Sequence, residues 1–446
     1  MSHSAPRIKK ITRTMLRVPY TPRTEPWNRL LVRNWQIVEV CRVETESGVV
    51  GWGETLPHYG WGRVSDDAVA RATAAPLGSL LGDDSLGPGL QMALYDALGK
   101  TLGVPAHALF GLPKVRDWAP LAWWNTKMPP EVLAEEAKDA VAAGYTDHKI
   151  KARPWFDIYA QVEAISAVTP SHYKLDMDFN DMLGTVGTAT RVLQKLDTYE
   201  KVNFYEGPLP QRDVAAYREL RSKTCRPLAI HFGVPSFPQV IQSQMCDGFV
   251  LNQGIGATLQ QGQLAATFEM PFFLQLVGLG LTTALMAHLT AVLTHARWPA
   301  VTCLNNYSAD LLIEPLTIKH GHVQVPDAPG LGVVFDEAAL EKYKLEPPHW
   351  MPFPRHILTV TWQGGRKIHF PYMEKPKTPD YAGPAFSHLQ FEQASASLRG
   401  RGVWEDFMRG NLPLYEPGVT LTVWDDDGSK DWASLYQKSL EAPVWD

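Results

Sequence analysis

A repeating rhythm that begins near residue 118 constrains the fold more than any other feature of the sequence. Short apolar segments alternate there with amphipathic helical stretches such as PEVLAEEAKDAVAAG (130–144), with a period of about 25 residues. This alternation predicts a parallel sheet whose strands are joined by helical crossovers. The apolar segments are APLAWW (119–124), DHKIK (147–151), HYKLDMDF (172–179), KVNFYEGP (201–208), RPLAIHF (226–232), DGFVLNQ (247–253), MPFFLQLV (270–277) and the weaker PAVTCLN (299–305).

The number of these segments bears on the fold class. Eight strands with helical crossovers favour an α/β protein of the closed (β/α) barrel type. A doubly wound sheet is the alternative, but no GxGxxG phosphate loop follows the first strand.

Different patterns flank the barrel region. Residues 7–56 alternate like strands, with a hairpin around an ESG turn, and residues 66–111 have helical patterns, so an α+β unit is predicted there. Residues 356–446 contain a predicted hairpin, ILTVTWQGGRKIHFPY (357–372). The tryptophans of this extension are too many to leave in water, so we expect it to fold against another part of the protein. They are Trp362, Trp404, Trp424 and Trp432.

Composition excludes several classes of partner. The net charge of −5, with 45% hydrophobic and 20% charged residues, is ordinary for a soluble protein and predicts neither nucleic-acid nor membrane binding. The first fifteen residues lack the apolar core of a signal peptide, and the four cysteines form no CxxC pair, so we expect a cytoplasmic protein. Residues 272–293 carry no formal charge and are long enough to cross a bilayer, but a buried strand followed by a buried helix explains them better.

The carboxyl ends of the predicted strands carry the candidate functional residues, because barrel enzymes place their active sites there. These ends offer Lys149 and Lys151, Asp176, Asp178 and Asn180, Glu206, His231, Asn252 and Gln253, and Gln275. Two carboxylates on neighbouring strands, with a histidine on the next, can bind a hard divalent cation such as Mg²⁺. Surface or helix-capping carboxylates are the alternative interpretation.

The spacing of the two lysines suggests a base. At positions i and i+2 of a strand, the Lys149 and Lys151 side chains point to the same face. Crowding of two cations, together with burial, lowers the pKa of at least one of them, and a neutral lysine can remove a proton. A solvated basic strand end would give the same KxK pattern, which is common.

Together these motifs resemble the enolase superfamily, in its mandelate racemase and muconate lactonizing branch, over about residues 7–345. VETESGVVGWGE and LYDALGKTLGVPAHALFGLP resemble the capping domain of that branch, and GYTDHKIKARP resembles its KxK strand. LDMDFND and NFYEGPLP resemble its two metal-ligand strands, and VPDAPGLGVVFDE resembles its closing segment. The resemblance implies an α+β capping domain (1–116), a modified (β/α)7β barrel (117–318), a return to the capping domain (319–355) and a C-terminal extension outside the family pattern (356–446).

The resemblance also implies a chemistry. A metal ion, Mg²⁺ or alternatively Mn²⁺ or Zn²⁺, would hold a small-molecule carboxylate while Lys151 removes the α-proton to give an enediolate, and Lys149 would lower the pKa of Lys151. Asp178, with Asp176 as its competitor, and Glu206 would be metal ligands, and Asn180 would support them. Most members form symmetric assemblies, so a homo-oligomer is expected.

Three departures from the family pattern narrow the expected reaction. His231 stands where an acidic third ligand is usual, so it is a candidate ligand or catalytic acid, and the metal could also be absent. Asn252 and Gln275 stand where opposite-face bases are usual, and neither side chain can act as a base. A two-base racemase or epimerase is therefore disfavoured relative to a lyase that dehydrates a hydroxy or sugar acid. A non-catalytic descendant, or one with altered chemistry, stays open.

Substrate specificity in this family comes partly from a loop of the capping domain. Here that loop reads YTPRTEPWNR (20–29), so Arg23, Trp27 and Asn28 are candidate substrate contacts. Trp124, Asn180, Asn252 and Gln275 are further candidates at the barrel mouth. Plain packing is the alternative for the aromatic residues.

Overall fold

The structure is a computed structural model that describes residues 6–30, 32–59, 62–351, 355–372, 412–441 and 444–446. The regular elements of the N-terminal region are strands β1 (Ile8–Arg17), β2 (Ile37–Thr45) and β3 (Val50–Thr55), helices α1 (Glu25–Asn28), α2 (Asp66–Ala74) and α3 (Pro88–Leu102), and 3-10 turns at Arg33–Gln36, Asp84–Leu86 and Ala106–Phe110.

The N-terminal strands form an antiparallel sheet in the order β1-β2-β3, and β2 and β3 are the predicted hairpin. Helix α3 packs tightly against β3 because two glycines of β3 have no side chain at the contact. A Cβ atom at Gly51 would lie 2.2 Å from the Ala93 carbonyl oxygen, and one at Gly53 would lie 2.1 Å from the Gly89 carbonyl oxygen. The GWGE motif therefore permits the close contact between this sheet and its helix.

The central region is a parallel sheet with helical crossovers, as the rhythm predicts. Its seven strands lie in the order β11-β10-β9-β8-β7-β6-β5, and every pairing is parallel. A short strand β4 (Trp118–Pro120) precedes them. The elements are β5 (Trp123–Asn125), α4 (Pro130–Ala142), β6 (Asp147–Lys151), α5 (Ile158–Val168), β7 (Lys174–Asp178), α6 (Val186–Leu196), β8 (Val202–Glu206), α7 (Val214–Arg221), β9 (Leu228–His231), α8 (Phe237–Ser243), β10 (Gly248–Leu251), α9 (Ile255–Thr267), β11 (Phe272–Leu274) and α10 (Gly280–Val292).

The eighth predicted strand is reduced to isolated bridges. Ala300 pairs with Leu121 on one side and Val301 pairs with Gln275 on the other, both in parallel orientation. These pairings join the last strand of the sheet to the segment before the first, so the sheet closes. The predicted modified barrel with an N-terminal capping sheet is thereby confirmed.

The uncharged segment 272–293 belongs to the last strand-helix unit of this barrel. It consists of strand β11 and helix α10, and all thirteen residues of α10 are buried. The predicted buried strand and helix are confirmed, and in the described part of the chain no helix is long and apolar enough to cross a membrane.

After the barrel the chain returns to the N-terminal region. The Arg17 backbone N–H donates to the Tyr343 carbonyl (2.7 Å), and the Leu331 N–H donates to the Asp96 carboxylate (2.8 Å). The elements of this segment are a 3-10 turn at Leu304–Asn306, strand β12 (Ile318–Lys319), strand β13 (His322–Gln324) and helix α11 (Ala338–Lys342). Strand β13 pairs with β12 on one side and with β4 on the other.

The C-terminal extension has its own four-stranded antiparallel sheet in the order β16-β14-β15-β17. The predicted hairpin is β14 (His356–Thr361) with β15 (Lys367–Tyr372), and the other elements are β16 (Thr420–Asp425), helix α12 (Lys430–Glu441) and β17 (Val444–Trp445). Trp362 and Trp432 are buried, Trp424 is 37% exposed, and Trp404 lies outside the described residues.

The extension packs on the carboxyl end of the barrel. The Gly418 N–H donates to Asp157, which caps helix α5, and the buried Tyr415 ring meets the Phe179 ring edge-on at 5.7 Å. Arg29 of the capping loop forms an ion pair with Asp425 (2.8 Å). The extension therefore contacts both the barrel and the capping loop beside the predicted site.

Candidate active site

Strand register brings the predicted residues of three strands side by side. Lys151 pairs with Asp178 across β6 and β7, and Asp178 pairs with Glu206 across β7 and β8. Lys149 precedes Lys151 by two residues, so both side chains enter the barrel on one face. All four are at most 3% exposed, and they form a buried cluster of two lysines and two carboxylates.

Lys149 lies between the two carboxylates. Its ammonium group donates to Glu206 Oε2 and to Gln275 Oε1 (2.6 Å), and it is 3.4 Å from Asp178 Oδ2. It also lies 5.0 Å from the centre of the Phe273 ring. Burial opposes its charge, but Glu206 and Asp178 outweigh that effect and raise its pKa, so Lys149 is held as a cation.

The contributions to the pKa of Lys151 balance differently from those at Lys149. Its ammonium group donates to Asp178 Oδ2 (2.5 Å) and to Asn180 Oδ1 (3.1 Å). Burial lowers its pKa, Lys149 lowers it further, and the opposing pull of Asp178 does not compensate. Lys151 is therefore the member of the pair that gives up its proton more readily, which supports its assignment as the base.

The two aspartates of β7 occupy different surroundings. Asp178 is the one that contacts both lysines; burial alone would raise its pKa, but Lys151, Lys149 and Arg153 hold the pKa well below the usual value. Burial, together with repulsion from Asp147, raises the pKa of Asp176 well above the usual value. Its carboxyl accepts a hydrogen bond from Asn203 (3.0 Å). Because Asp178 and not Asp176 contacts the two lysines, the geometry favours Asp178 as the β7 carboxylate of the candidate site.

The turn after β7 fixes the cluster from outside. Asn180 and Asp181 both have left-handed backbones (φ 46° and 68°), a conformation that Asn and Asp tolerate better than most residues. The Asn180 N–H donates to Asp178 Oδ1 (3.0 Å), while its side-chain oxygen accepts from Lys151 and from Arg153 (2.7 Å). Asn180 thereby orients both Lys151 and Asp178.

Two neighbours of the cluster, Arg153 and Asp181, escaped the sequence analysis. Arg153 is fully buried and continues the i, i+2 spacing of the two lysines, which was the available signal. Asp181 has a pKa raised to about 7 by burial and by Asp178, and it stands one residue beyond the strand end that we considered. A further neighbour is Tyr59, whose hydroxyl accepts a hydrogen bond from Gln275 Nε2 (3.0 Å).

The ends of β9 to β11 are more open. His231 Nε2 lies 3.3 Å from Glu206 Oε1, and its side chain is 35% exposed. Asn252 is half-buried and accepts a hydrogen bond from Gln253, whereas Gln275 is buried and bonded to Lys149. Neither amide can act as a base. Among the predicted positions on this opposite side of the barrel mouth, His231 is therefore the one with a titratable side chain.

The candidates of the capping loop lie mostly apart from the cluster. Arg23 forms ion pairs with Glu136 and Asp139 of helix α4. The buried Asn28 side chain donates to Asn306 Oδ1 (2.9 Å). The Trp27 ring lies 6.2 Å from the Phe156 ring, which follows β6.

Trp124 is also a packing contact in this structure. It is buried, and its ring lies 6.0 Å from that of Trp35. The structure does not bring Trp124, Arg23 or Asn28 into hydrogen-bond contact with the lysine cluster.

The comparisons with known proteins agree with this architecture. Residues 132–339 match the enolase C-terminal domain-like family. D-gluconate dehydratase of Thermoproteus tenax is 27% identical over 61% of this chain and 59% of its own length. A probable glucarate dehydratase of Streptomyces coelicolor is 32% identical over 56% of this chain and 64% of its own length. The chain thus spans about three fifths of the length of these two relatives.

A solved structure shows the same fold. The enolase of Thermobispora bispora, complexed with magnesium and formate, superposes with a TM-score of 0.63 at 22% identity, covering 76% of this chain and 92% of that one. The predicted resemblance to the enolase superfamily is confirmed by the family match over residues 132–339 and by the shared fold.

Proposed function

We propose that this protein is a lyase that dehydrates a hydroxy acid of the sugar-acid class, with Lys151 as the base. The observation that carries the proposal is the buried lysine pair, in which Lys149 is held charged while the pKa of Lys151 is lowered. A neutral amine beside a fixed cation is suited to removing a proton α to a carboxylate. The similarity to two sugar-acid dehydratases supports this substrate class.

The proposed reaction is one-sided. Lys151 takes the α-proton, and the enediolate that forms is stabilised by the Lys149 ammonium. The β-hydroxyl then leaves as water, with a proton from His231 or from Lys151 itself, and the enol product becomes a 2-keto-3-deoxy acid. Racemisation is not favoured, because Asn252 and Gln275 provide no base on the opposite face.

The residues at the site have to be compared with those that the predicted metal ion would need. Mg²⁺ would require Asp178, Glu206 and His231 as ligands, but one oxygen of each carboxylate already accepts a hydrogen bond from a lysine. Imidazole is also a poor ligand for Mg²⁺, although it suits Zn²⁺. Within the described residues, no three His, Cys, Asp or Glu side chains are grouped closely enough to hold an ion. The residues do not fit the ion, and no step proposed above uses it.

A product assay tests the proposal. The full chain would be incubated with D-gluconate, D-glucarate and a panel of related hydroxy acids, and 2-keto acid formation would be measured. We expect at least one acid to be dehydrated by the wild type and not by Lys151→Ala. Product formation that is unchanged in Lys151→Ala would refute the assigned base, and no product from any acid would favour a non-catalytic descendant.

A further inference from the structure

We propose that the Lys149 ammonium is the resident cation of this site and takes the position that a divalent metal would occupy between Asp178 and Glu206. The inference rests on the proposed function only in naming a substrate carboxylate as the group that this cation meets. The cation site itself follows from contacts among the described residues.

Lys149 is anchored on several sides. Glu206 Oε2 and Gln275 Oε1 accept from its ammonium group, and Asp178 Oδ2 is 3.4 Å away. The Phe273 ring lies against it at 5.0 Å, an arrangement that attracts a cation. A buried lysine stem fixed in this way cannot withdraw to solvent without breaking these contacts.

Gln275 determines where the ammonium stands. Its side-chain amide donates to the Tyr59 hydroxyl (3.0 Å), so its oxygen is turned towards Lys149. Tyr59 belongs to the N-terminal region and is buried. A carboxylate at position 275 would pair with a metal, whereas the neutral amide orients an ammonium group without adding negative charge.

The remaining carboxylate oxygens leave little room for an ion. Asp178 Oδ1 accepts the Asn180 N–H (3.0 Å), and Asp178 Oδ2 accepts from Lys151 (2.5 Å). Glu206 Oε1 accepts no hydrogen bond from the described residues and faces His231 Nε2 at 3.3 Å. A metal would therefore find one open carboxylate oxygen and one imidazole.

Charge gives an independent argument. While Lys151 is protonated, two carboxylates and two ammonium groups balance one another within the cluster. A divalent cation placed among them would be repelled by both lysines at short range in a buried site, where screening by water is weak. Removing the Lys149 charge should relieve this repulsion and free Glu206 Oε2.

Binding of Mn²⁺ tests the proposal without reference to turnover. The metal-stripped full chain would be titrated with Mn²⁺ by electron paramagnetic resonance, alone and with excess D-gluconate, as wild type, Lys149→Met and Lys149→Met/Glu206→Gln. We expect no stoichiometric binding to the wild type, binding at least about tenfold tighter to Lys149→Met, and loss of that gain in the double variant.

Two results would overturn the proposal. The first is one equivalent of Mn²⁺ bound by the wild type and lost in Asp178→Asn. The second is a folded Lys149→Met protein, verified by circular dichroism, that binds Mn²⁺ no better than the wild type. If Lys149→Met does not fold, the wild-type and Asp178→Asn titrations decide alone. Failure of the proposed function would instead appear as absent keto-acid formation, which these titrations do not measure.

Discussion

The two halves of the barrel mouth differ in how they are built. In the near half, formed by the ends of β6, β7 and β8, Lys149, Lys151, Asp178 and Glu206 are buried and joined by hydrogen bonds. In the far half, formed by the ends of β9, β10 and β11, His231 is partly open to solvent and the other predicted positions are amides. The proposed proton abstraction is therefore assigned to one side of the site.

This difference explains why dehydration is favoured over racemisation. A racemase needs a base on each face of the substrate carbon, whereas an elimination can use one base and return the proton with the leaving group. The near half can provide the base, and the far half can provide at most an acid at His231.

The largest expected effect concerns the base of the near half. Lys151→Ala removes the amine that takes the α-proton, so keto-acid formation should fall by between about 10² and 10⁴. Lys138→Ala is a matched control, because Lys138 is an exposed residue of helix α4 paired with Glu135. Equal losses in the two variants would contradict the assignment.

A stability difference should separate the two aspartates of β7. Asp178→Asn leaves buried Lys151 without its ion-pair partner in the near half and should lower the free energy of unfolding by about 3–5 kcal/mol. Asp176→Asn replaces a carboxyl whose pKa is already raised, so its cost should stay below about 1.5 kcal/mol. Urea denaturation at neutral pH would measure both, and a larger loss in Asp176→Asn would contradict this interpretation.

The pH dependence of that stability follows from the sign of the shift. The pKa of Asp178 is lower in the folded state than the value of about 3.9 for an unfolded chain, so its contribution is complete above that value. The contribution is lost as pH falls through the folded pKa. The difference between wild type and Asp178→Asn should therefore shrink in acid, and a difference that grows in acid would be inconsistent with this ion pair.

The charge on Lys149 should influence the pH at which the activity rises. If Lys151 acts as a neutral amine, as proposed, activity should rise with pH through its lowered pKa. Lys149→Met removes one cause of that lowering and should move the rising limb to higher pH by about one unit. A pH–rate profile checks this, and an unmoved limb would show that Lys149 does not influence the base.

The far half is expected to affect one step of the reaction and not the other. If His231 supplies the proton to the leaving hydroxyl, His231→Asn should reduce dehydration about 10²-fold but change α-proton exchange by less than about threefold. Comparing the two rates in one sample separates the steps. Unchanged dehydration in His231→Asn would indicate that Lys151, and not His231, supplies this proton.

Much of the barrel could be predicted because its strands and helices have distinct periodicities. The near half could also be predicted, since KxK, LDMDFND and NFYEGPLP place charged groups at consecutive strand ends. The eighth strand was harder to delimit, because in the described residues it is reduced to two bridges, Ala300 with Leu121 and Val301 with Gln275. Local pattern cannot reveal how far such a segment pairs.

Contacts between distant segments were not predictable. Arg23 was expected at the substrate, but Glu136 and Asp139 lie more than a hundred residues away along the chain and pair with it. The packing of Tyr415 against Phe179 likewise depends on how the extension folds back onto the barrel. The sequence contains both partners in each case but no signal of their proximity.

One measurement tests the central claim most directly. The wild type and Lys151→Ala would each be incubated in D2O with the hydroxy-acid panel, and loss of the α-proton signal would be followed by proton NMR. The account predicts exchange or elimination at the α-carbon of at least one acid with the wild type and none with Lys151→Ala. Exchange that persists in Lys151→Ala would contradict Lys151 as the base, and an unreactive wild type would contradict the proposed proton abstraction itself.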